Sequence, residues 1–414
     1  MNIRFYNGTI LTLENTVADE SGCLPLLTGE VWVFDDTIGF VGNPGNDNIM
    51  LSIFQTIQWD KQINLNGNLI MPGFKNAHTH SAMTFLRSYA DDLPLEEWLN
   101  QKVFPMEAKL TDDKMYEYSK IAIQEYLTSG ITANFDMYIN PAPIVQASID
   151  MGFRTVMTGG LNNFTQSVPE IEECYKKYNG CNDLISYELG FHAEYTCNEN
   201  LLRDLADLAN QLQAPVYCHN SETEKEVQQC ISRYGATPTV FLDQIGMFNY
   251  GGGGYHCVHM NDADIAVFEK RGMSIVTNPA SNLKLASGIA PISKFMKKKI
   301  NIAIGTDGPA SNNALDMFRE MFLTTALAKY FENDASAVDA NEVLKMATLG
   351  GAKAMGLYNC DTLSRGKKAD LIVIDLNQPN MQPLNNITKN IVYSGSKLNI
   401  LLTMVNGKIL YERR

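Results

Sequence analysis

Long basic tracts, long apolar runs and paired cysteines are all missing from this sequence. Its 33 Lys and Arg are outnumbered by 46 Asp and Glu, giving a formal net charge of −13, and the longest run of bases is the short Lys297-Lys298-Lys299. Nonspecific nucleic-acid binding depends on cations that neutralise phosphates, so that class of function is excluded. No apolar run reaches the ~18 residues of a membrane span, and residues 1–8 hold no charged leader followed by an apolar stretch. Neither a membrane partner nor a secretory signal is therefore expected, and the cytoplasm is the expected location. The eight cysteines contain no C-x-x-C pair and read as free thiols of a reducing compartment. Histidine is scarce too, with six in 414 residues.

What the sequence does hold is enough apolar material for a large core. Apolar residues make up 45% and charged residues 19%, which excludes disorder, and the length fits one large α/β barrel with an appendage or two ordinary domains. The two ends have a β style. Runs at 3–6, 9–13, 31–34 and 38–41 near the start, and at 371–375, 391–393, 403–405 and 408–411 near the end, predict short strands. Asn7-Gly8, Asp35-Asp36 and Asn406-Gly407 punctuate them as turns. Between the ends, buried runs alternate with amphipathic stretches, the pattern of a parallel sheet with crossover helices.

Eight central strands are predicted, at 69–71, 131–135, 154–158, 186–191, 215–218, 255–258, 274–277 and 301–304. Helices are predicted at 199–212, with Asn198 as N-cap, and at 341–356, where Asp339 and Glu342 have capping-box spacing. The four glycines 251–254 read as a flexible connection into the sixth strand. The expected fold is α/β: a (β/α)8 TIM-like barrel over 67–357 and a small β-sandwich domain built from 1–66 and 358–414.

All six histidines fall in a predicted barrel strand or just after one, and catalytic groups of such barrels gather at the C-terminal ends of the strands. In His78-Thr-His80, alternate residues of an extended backbone point the same way, so both imidazoles can reach one ion. His219 ends the fifth strand and Asp307 the eighth. Taken singly, a strand-end histidine is usually structural and an aspartate before glycine is commonly a turn residue. Taken together, three histidines and one aspartate from three strands suit one Zn²⁺ or Fe²⁺ and leave a position for water. Glu222, three residues past His219, is placed to move protons beside such an ion, although it could also be an ordinary acid of a first helical turn. Cys218 and Cys257 adjoin this set and are explained by burial.

Several longer motifs carry a resemblance. They are Pro72-Gly-Phe-Lys-Asn-Ala-His-Thr-His80, Leu95-Glu-Glu-Trp98, His256-Cys-Val-His259, Asn278-Pro-Ala-Ser-Asn-Leu-Lys-Leu285 and Gly305-Thr-Asp-Gly-Pro-Ala-Ser-Asn-Asn313. In this order the chain resembles the metal-dependent amidohydrolase superfamily over essentially its whole length. The branch it resembles is that of 5-methylthioadenosine/S-adenosylhomocysteine deaminases and related aminohydrolases. The resemblance implies a mononuclear site with His78, His80, His219 and Asp307 as ligands, Zn²⁺ ahead of Fe²⁺. It implies that Glu222 protonates the ring nitrogen, that Asp307 takes the proton of the attacking water, and that His256 meets that water or the tetrahedral centre. Substrate contacts are implied for Glu107 with ribose hydroxyls, for His192, and for Ser311, and a structural role for His259. The implied reaction is deamination of an adenine nucleoside by a homo-oligomeric enzyme. Aminohydrolysis or dechlorination of a guanine, pterin or triazine ring is the alternative within the class, and a metal-free scaffold relative is the alternative outside it. A bridging lysine at the fourth strand, needed for a binuclear site, is lacking between Lys177 and Lys225.

Three positions depart from the branch. Phe191 stands where a proline precedes the fourth-strand histidine. Gly159, in Thr158-Gly-Gly160, stands where adenosylhomocysteine-using members resemble Thr-Arg-Gly, and residues 161–169 hold no arginine. A homocysteine carboxylate is thereby left without its expected partner.

Overall fold

The alternation of buried runs with amphipathic stretches resolves into two sheets in the computed structural model, which describes residues 1–46, 52 and 54–413. Chain order begins with β1 (Asn2–Ile10), β2 (Leu27–Phe34), β3 (Thr37–Gly42), β4 (Lys61–Asn64) and β5 (Leu69–Pro72). The central strands are β6 (Phe74–Thr79), β7 (Ile131–Tyr138), β8 (Arg154–Gly159), β9 (Ile185–Ala193), β10 (Val216–Asn220), β11 (Gly252–His256), β12 (Ser274–Thr277) and β13 (Asn301–Ile304). The chain ends with β14 (Leu371–Ile374), β15 (Ile400–Val405) and β16 (Lys408–Glu412).

Strands β6 to β13 run parallel in sequence order and form the eight-stranded barrel, with helices in the crossovers. The helix Glu199–Leu212 shows why the crossovers are legible. Asn198 accepts from the Leu201 N–H as N-cap, and Leu202, Leu205 and Leu208 are buried on one stripe. The remaining strands make the second sheet, in the order β16-β15-β14-β5-β1-β2-β3, with β4 also paired to β1. Val31 and Val33 from one end of this path share a core with Leu402 and Met404 from the other, so the sheet curls over itself as a sandwich does. Asp35-Asp36 and Asn406-Gly407 are the turns expected of them.

Five local expectations are corrected. Residues 69–71 are not the first barrel strand: β5 pairs with β1 and β14 in the terminal sheet. The barrel starts at β6, whose Lys75 and Asn76 disguise it. Both are fully buried, because Lys75 Nζ donates to Thr132 Oγ1 at 2.7 Å and Asn76 pairs with Thr306. The glycines 252–254 are strand, not connection. A Cβ at Gly252 would lie 1.9 Å from the Val216 carbonyl oxygen and one at Gly254 2.7 Å from Cys257 Sγ, so close packing of β11 demands glycine. Asn7-Gly8 is not a turn but a bulge inside β1, with Asn7 at φ 56°. Residues 391–393 lie in a helix, Ile387–Tyr393, capped by Asn386. Asp339 does cap the helix that follows it, accepting from the Asn341 N–H, but Glu342 pairs with Lys345 instead of completing a capping box.

The two sheets are tied by one buried ion pair. Arg154 at the start of β8 donates to both carboxylate oxygens of Asp370, just before β14, at 2.7 and 3.1 Å, and to the Asp183 carbonyl at 2.8 Å. Burial would raise the Asp370 carboxyl, but the Arg154 charge outweighs it and holds the group below its ordinary range. The pair therefore contributes stability above the usual carboxylate pKa and loses it as pH falls through the depressed value. Asp370→Ala leaves a buried guanidinium unpaired, and urea unfolding at neutral pH is expected to show a loss of ~3–5 kcal/mol. A loss near that of a surface substitution would show that the pair does not hold the sheets together.

Candidate metal centre and substrate cavity

Closing the barrel brings the ends of β13 and β6 side by side. The Asp307 N–H donates to the His78 carbonyl at 3.0 Å, and the Asn76 amide exchanges two 2.8 Å bonds with Thr306. Gly305 makes this approach possible, since a Cβ there would lie 2.8 Å from His78 Cβ. Asp307 itself adopts φ 59°, which turns its carboxylate back over the barrel mouth. Its Oδ1 lies 3.5 Å from His78 Nε2 and 3.3 Å from His80 Nε2. With His219, one donor atom from each of the four residues lies within 4.8 Å of the others.

Each imidazole is oriented by what surrounds it. His80 Nδ1–H donates to the Met137 carbonyl at 2.8 Å, and His219 Nδ1–H to the His192 carbonyl at 2.7 Å, which turns both Nε2 atoms towards the centre. His78 stacks on Tyr255 with ring centroids 3.8 Å apart, and both its ring nitrogens are buried without a hydrogen-bond partner. Such atoms need a ligand. Burial pushes His78 down to about 3 and His219 well below its ordinary value, so both are neutral donors. At His80 burial also lowers the pKa, but the bond to Asp307 and its charge outweigh this and lift it to about 9. Asp307 shows the converse: burial would raise it, yet His78 and His80 hold it well below the carboxylate range. Three inward imidazoles and an ionised carboxylate fit one divalent cation.

Beyond the four, Ser281 and Ser311 donate to Asp307 Oδ2 at 2.6 and 2.8 Å, and the Gly308 N–H to Oδ1 at 2.7 Å. His256 Nδ1–H donates to Asn282 Oδ1 at 2.7 Å, and its Nε2 stands 3.9 Å from Glu222 Oε2. Burial raises Glu222, which accepts from Ser287 Oγ at 3.1 Å. Glu226 accepts the Ser221 and Glu222 N–H groups at 3.0 and 2.8 Å, and so sets the loop that presents Glu222. Glu222 therefore precedes the helix Glu224–Tyr234, which Thr223 caps, and is not an acid of its first turn. His259 Nε2–H donates to the Ser287 carbonyl at 2.7 Å and anchors the residue that touches Glu222.

A cavity of about 1120 Å³ opens over this centre. His80, His219, Glu222, His256 and Asp307 form its floor, and Glu107, His192 and Ser311 also line it. The expected site residues thus converge, apart from His78, buried beneath the floor, and His259, which stands behind Glu222. Ser281, Asn282, Ser287, Glu226 and Tyr255 were not singled out from the sequence. Ser281 and Asn282 lie inside the 278–285 motif, which was the available signal; Glu226 had none, because its partners are backbone groups. Tyr138, beside the Glu107 carboxyl, was likewise unassigned.

Gly159 does not face the cavity. A Cβ there would lie 2.3 Å from Ile171 Cδ1, within strand–helix packing, and Gly160 is the cavity-lining residue. Arg154 is committed to Asp370, and among the described residues no arginine lines the cavity. Lys225 and Lys284 reach the lining, and Lys284 is paired with Asp91 and Asn313. The helices of the described residues include none long and apolar enough to cross a membrane.

Residues 69–410 match the amidohydrolase family. A protein of Caldanaerobacter subterraneus subsp. tengcongensis, named 5-methylthioadenosine/S-adenosylhomocysteine deaminase, is 37% identical over 423 positions, covering 100% of this chain and 94% of that one. A protein of the same name from Caldicellulosiruptor saccharolyticus is 40% identical over 85% of this chain and 82% of its own length. Among solved structures, an adenosine deaminase from Xanthomonas campestris with bound zinc superposes with a TM-score of 0.90 at 32% identity, covering 98% of this chain and 92% of that one. With a barrel whose closure assembles three histidines and an aspartate, and with this similarity over its full length, the chain belongs to the amidohydrolase family.

Proposed function

We propose that this protein hydrolytically deaminates an adenine nucleoside, with one Zn²⁺ per chain, in the cytoplasm. The observation that carries the reading is a pair of carboxyl groups shifted in opposite directions over one cavity: Asp307 lowered by the imidazoles beside it, Glu222 raised by burial. The names of the relatives support the substrate class, and eight free cysteines suit the compartment.

His78, His80, His219 and Asp307 would hold the ion, which would supply Lewis acidity and make a water acidic enough to act as a nucleophile near neutral pH. Asp307 accepts the proton of the attacking water, its carboxylate steadied by Ser281 and Ser311. Glu222 gives its proton to the ring nitrogen beside the amino-bearing carbon as that carbon is attacked. His256, with Nδ1–H committed to Asn282, presents its Nε2 lone pair as an acceptor to the attacking water and so orients it. Asp307 then passes its proton to the amino group while Glu222 recovers one from the new hydroxyl. Ammonia leaves, and both carboxyls return to their starting states. Glu107 and His192 bind the nucleoside, and Ser311 acts both on the pocket wall and on Asp307.

Glu222→Gln should lower kcat by about 10²–10⁴-fold while retaining the metal, whereas His219→Ala should lose the metal, as read by elemental analysis. Equal metal loss in both would place Glu222 among the ligands. Because burial raises Glu222, its proton is retained to higher pH than an ordinary carboxyl's and is lost as pH rises. The kcat/KM profile should carry an alkaline limb that is missing from the residual activity of Glu222→Gln. A limb at the same pH in the variant would assign it to another group.

Substrate choice follows from the cavity charge. Asp92, Glu107, Glu222, Glu226 and Asp307 line it against Lys225 and Lys284, and Lys284 is paired with Asp91. A homocysteine carboxylate would meet no bidentate partner there. The expected preference is for adenosine, 5′-deoxyadenosine or methylthioadenosine. A kcat/KM favouring adenosylhomocysteine over methylthioadenosine by roughly tenfold, about 1.4 kcal/mol, would overturn it.

A further inference from the structure

The helix Met317–Glu332 has two apolar faces. Met317, Met321, Thr324 and Ala328 are buried against the body of the protein. The opposite face carries Phe322, Leu323, Ala326 and Tyr330, which fall within an arc of about 100°. Phe322 is 47% and Tyr330 81% exposed, and Leu283 and Tyr393 beside the helix are 40% and 41% exposed. A groove of about 610 Å³ runs along the stripe, lined by Leu283, Phe318, Phe322, Leu323, Val392 and Tyr393. An outward helix face on a barrel is ordinarily polar, whereas within this arc Arg319 is the one charged residue.

We propose that this face joins two copies of the chain, their helices antiparallel across a two-fold axis at Ala326. Three observations select a second copy as the occupant. First, the stripe is symmetric about Ala326: Phe322 and Tyr330 lie four residues to either side, ~6 Å along the axis. A two-fold there sets Tyr330 of one copy against Phe322 and the groove of the other, an aromatic knob in a matching recess. Ala326, the smallest side chain of the stripe, falls at the crossing, where two helices must approach most closely.

Second, the charges match under the same operation. Arg319 is exposed with no ion-pair partner among the described residues, seven positions before the axis. Asp334, exposed just past the end of the helix, lies eight positions after it, so each arginine would approach that acid of the other copy. Third, the area is of the right order. The four exposed side chains present roughly 400 Å² of largely apolar surface, taking ~150–250 Å² for a full aromatic side chain. A stable interface covers ~800 Å² per partner, about 65% of it apolar in homodimers.

The test is sedimentation of the zinc-loaded full-length protein at tens of micromolar. The parent should be a dimer, and Ala326→Glu, which places two carboxylates on the axis, should raise the dissociation constant by at least about 30-fold. Ala326→Cys should form a covalent dimer on mild oxidation, whereas the parent, whose Cys181 is exposed, should not. A monomeric parent overturns the proposal, as does a dimer that Ala326→Glu leaves intact and Ala326→Cys does not cross-link. Should Ala326→Glu fail to fold, the cross-link decides alone.

Discussion

The seam between the last and first barrel strands is the contact on which the site depends. A single backbone bond, from the Asp307 N–H to the His78 carbonyl, joins residues 229 positions apart and sets the Asp307 carboxylate against the His78 and His80 imidazoles. The Asn76–Thr306 pair beneath it fixes the register, and Gly305 allows the close approach. An eight-stranded parallel barrel closes only with a defined stagger, so the spacing of the donors is a property of the whole barrel. The metal site is thus preorganised by strands, which hold geometry better than loops do.

Around this seam, a second layer decides what each side chain can do. Backbone carbonyls of Met137 and His192 fix the tautomers of His80 and His219, so the basic nitrogens face inward. Asn282 does the same for His256 from a side chain. The carboxyls diverge through their neighbours. Asp307 is surrounded by imidazoles and hydroxyl donors that favour its charge; Glu222 is buried beside a single serine and a histidine at longer range. Two chemically similar groups are therefore shifted in opposite directions by their surroundings.

The helix Pro279–Lys284 links the centre to the rest of the molecule. Its Ser281 holds Asp307 and its Asn282 holds His256, while Glu320, from the helix Met317–Glu332, accepts the Ala280 N–H at 3.0 Å and the Asn312 amide at 2.8 Å. Burial raises Glu320 to about 8. A buried acid in that position ties the outer helix to the loop after Asp307, so the surface proposed to join two copies and the metal centre share one supporting residue.

Much of this was written locally in the chain. The His78-Thr-His80 spacing, the strand-end placement of His219 and Asp307, and the leucine stripe of Glu199–Leu212 are short-range patterns, and each keeps its meaning in the fold. Seven of the eight predicted barrel strands overlap an observed one, because buried parallel strands read as continuous apolar runs. Where the reading failed, a distant partner had changed what a residue could do. Lys75 and Asn76 look like surface residues until Thr132 and Thr306 satisfy them; the glycines of β11 look flexible until Val216 and Cys257 leave room for nothing larger. Asn282, Ser287 and Glu226 carry no distinguishing local pattern, since their roles are hydrogen bonds made across the barrel mouth. The sequence by itself determined which groups could bind a cation and move protons. Only the tertiary structure decided their tautomers, their protonation and their mutual distances, because those depend on burial and on bonds between residues far apart in the chain.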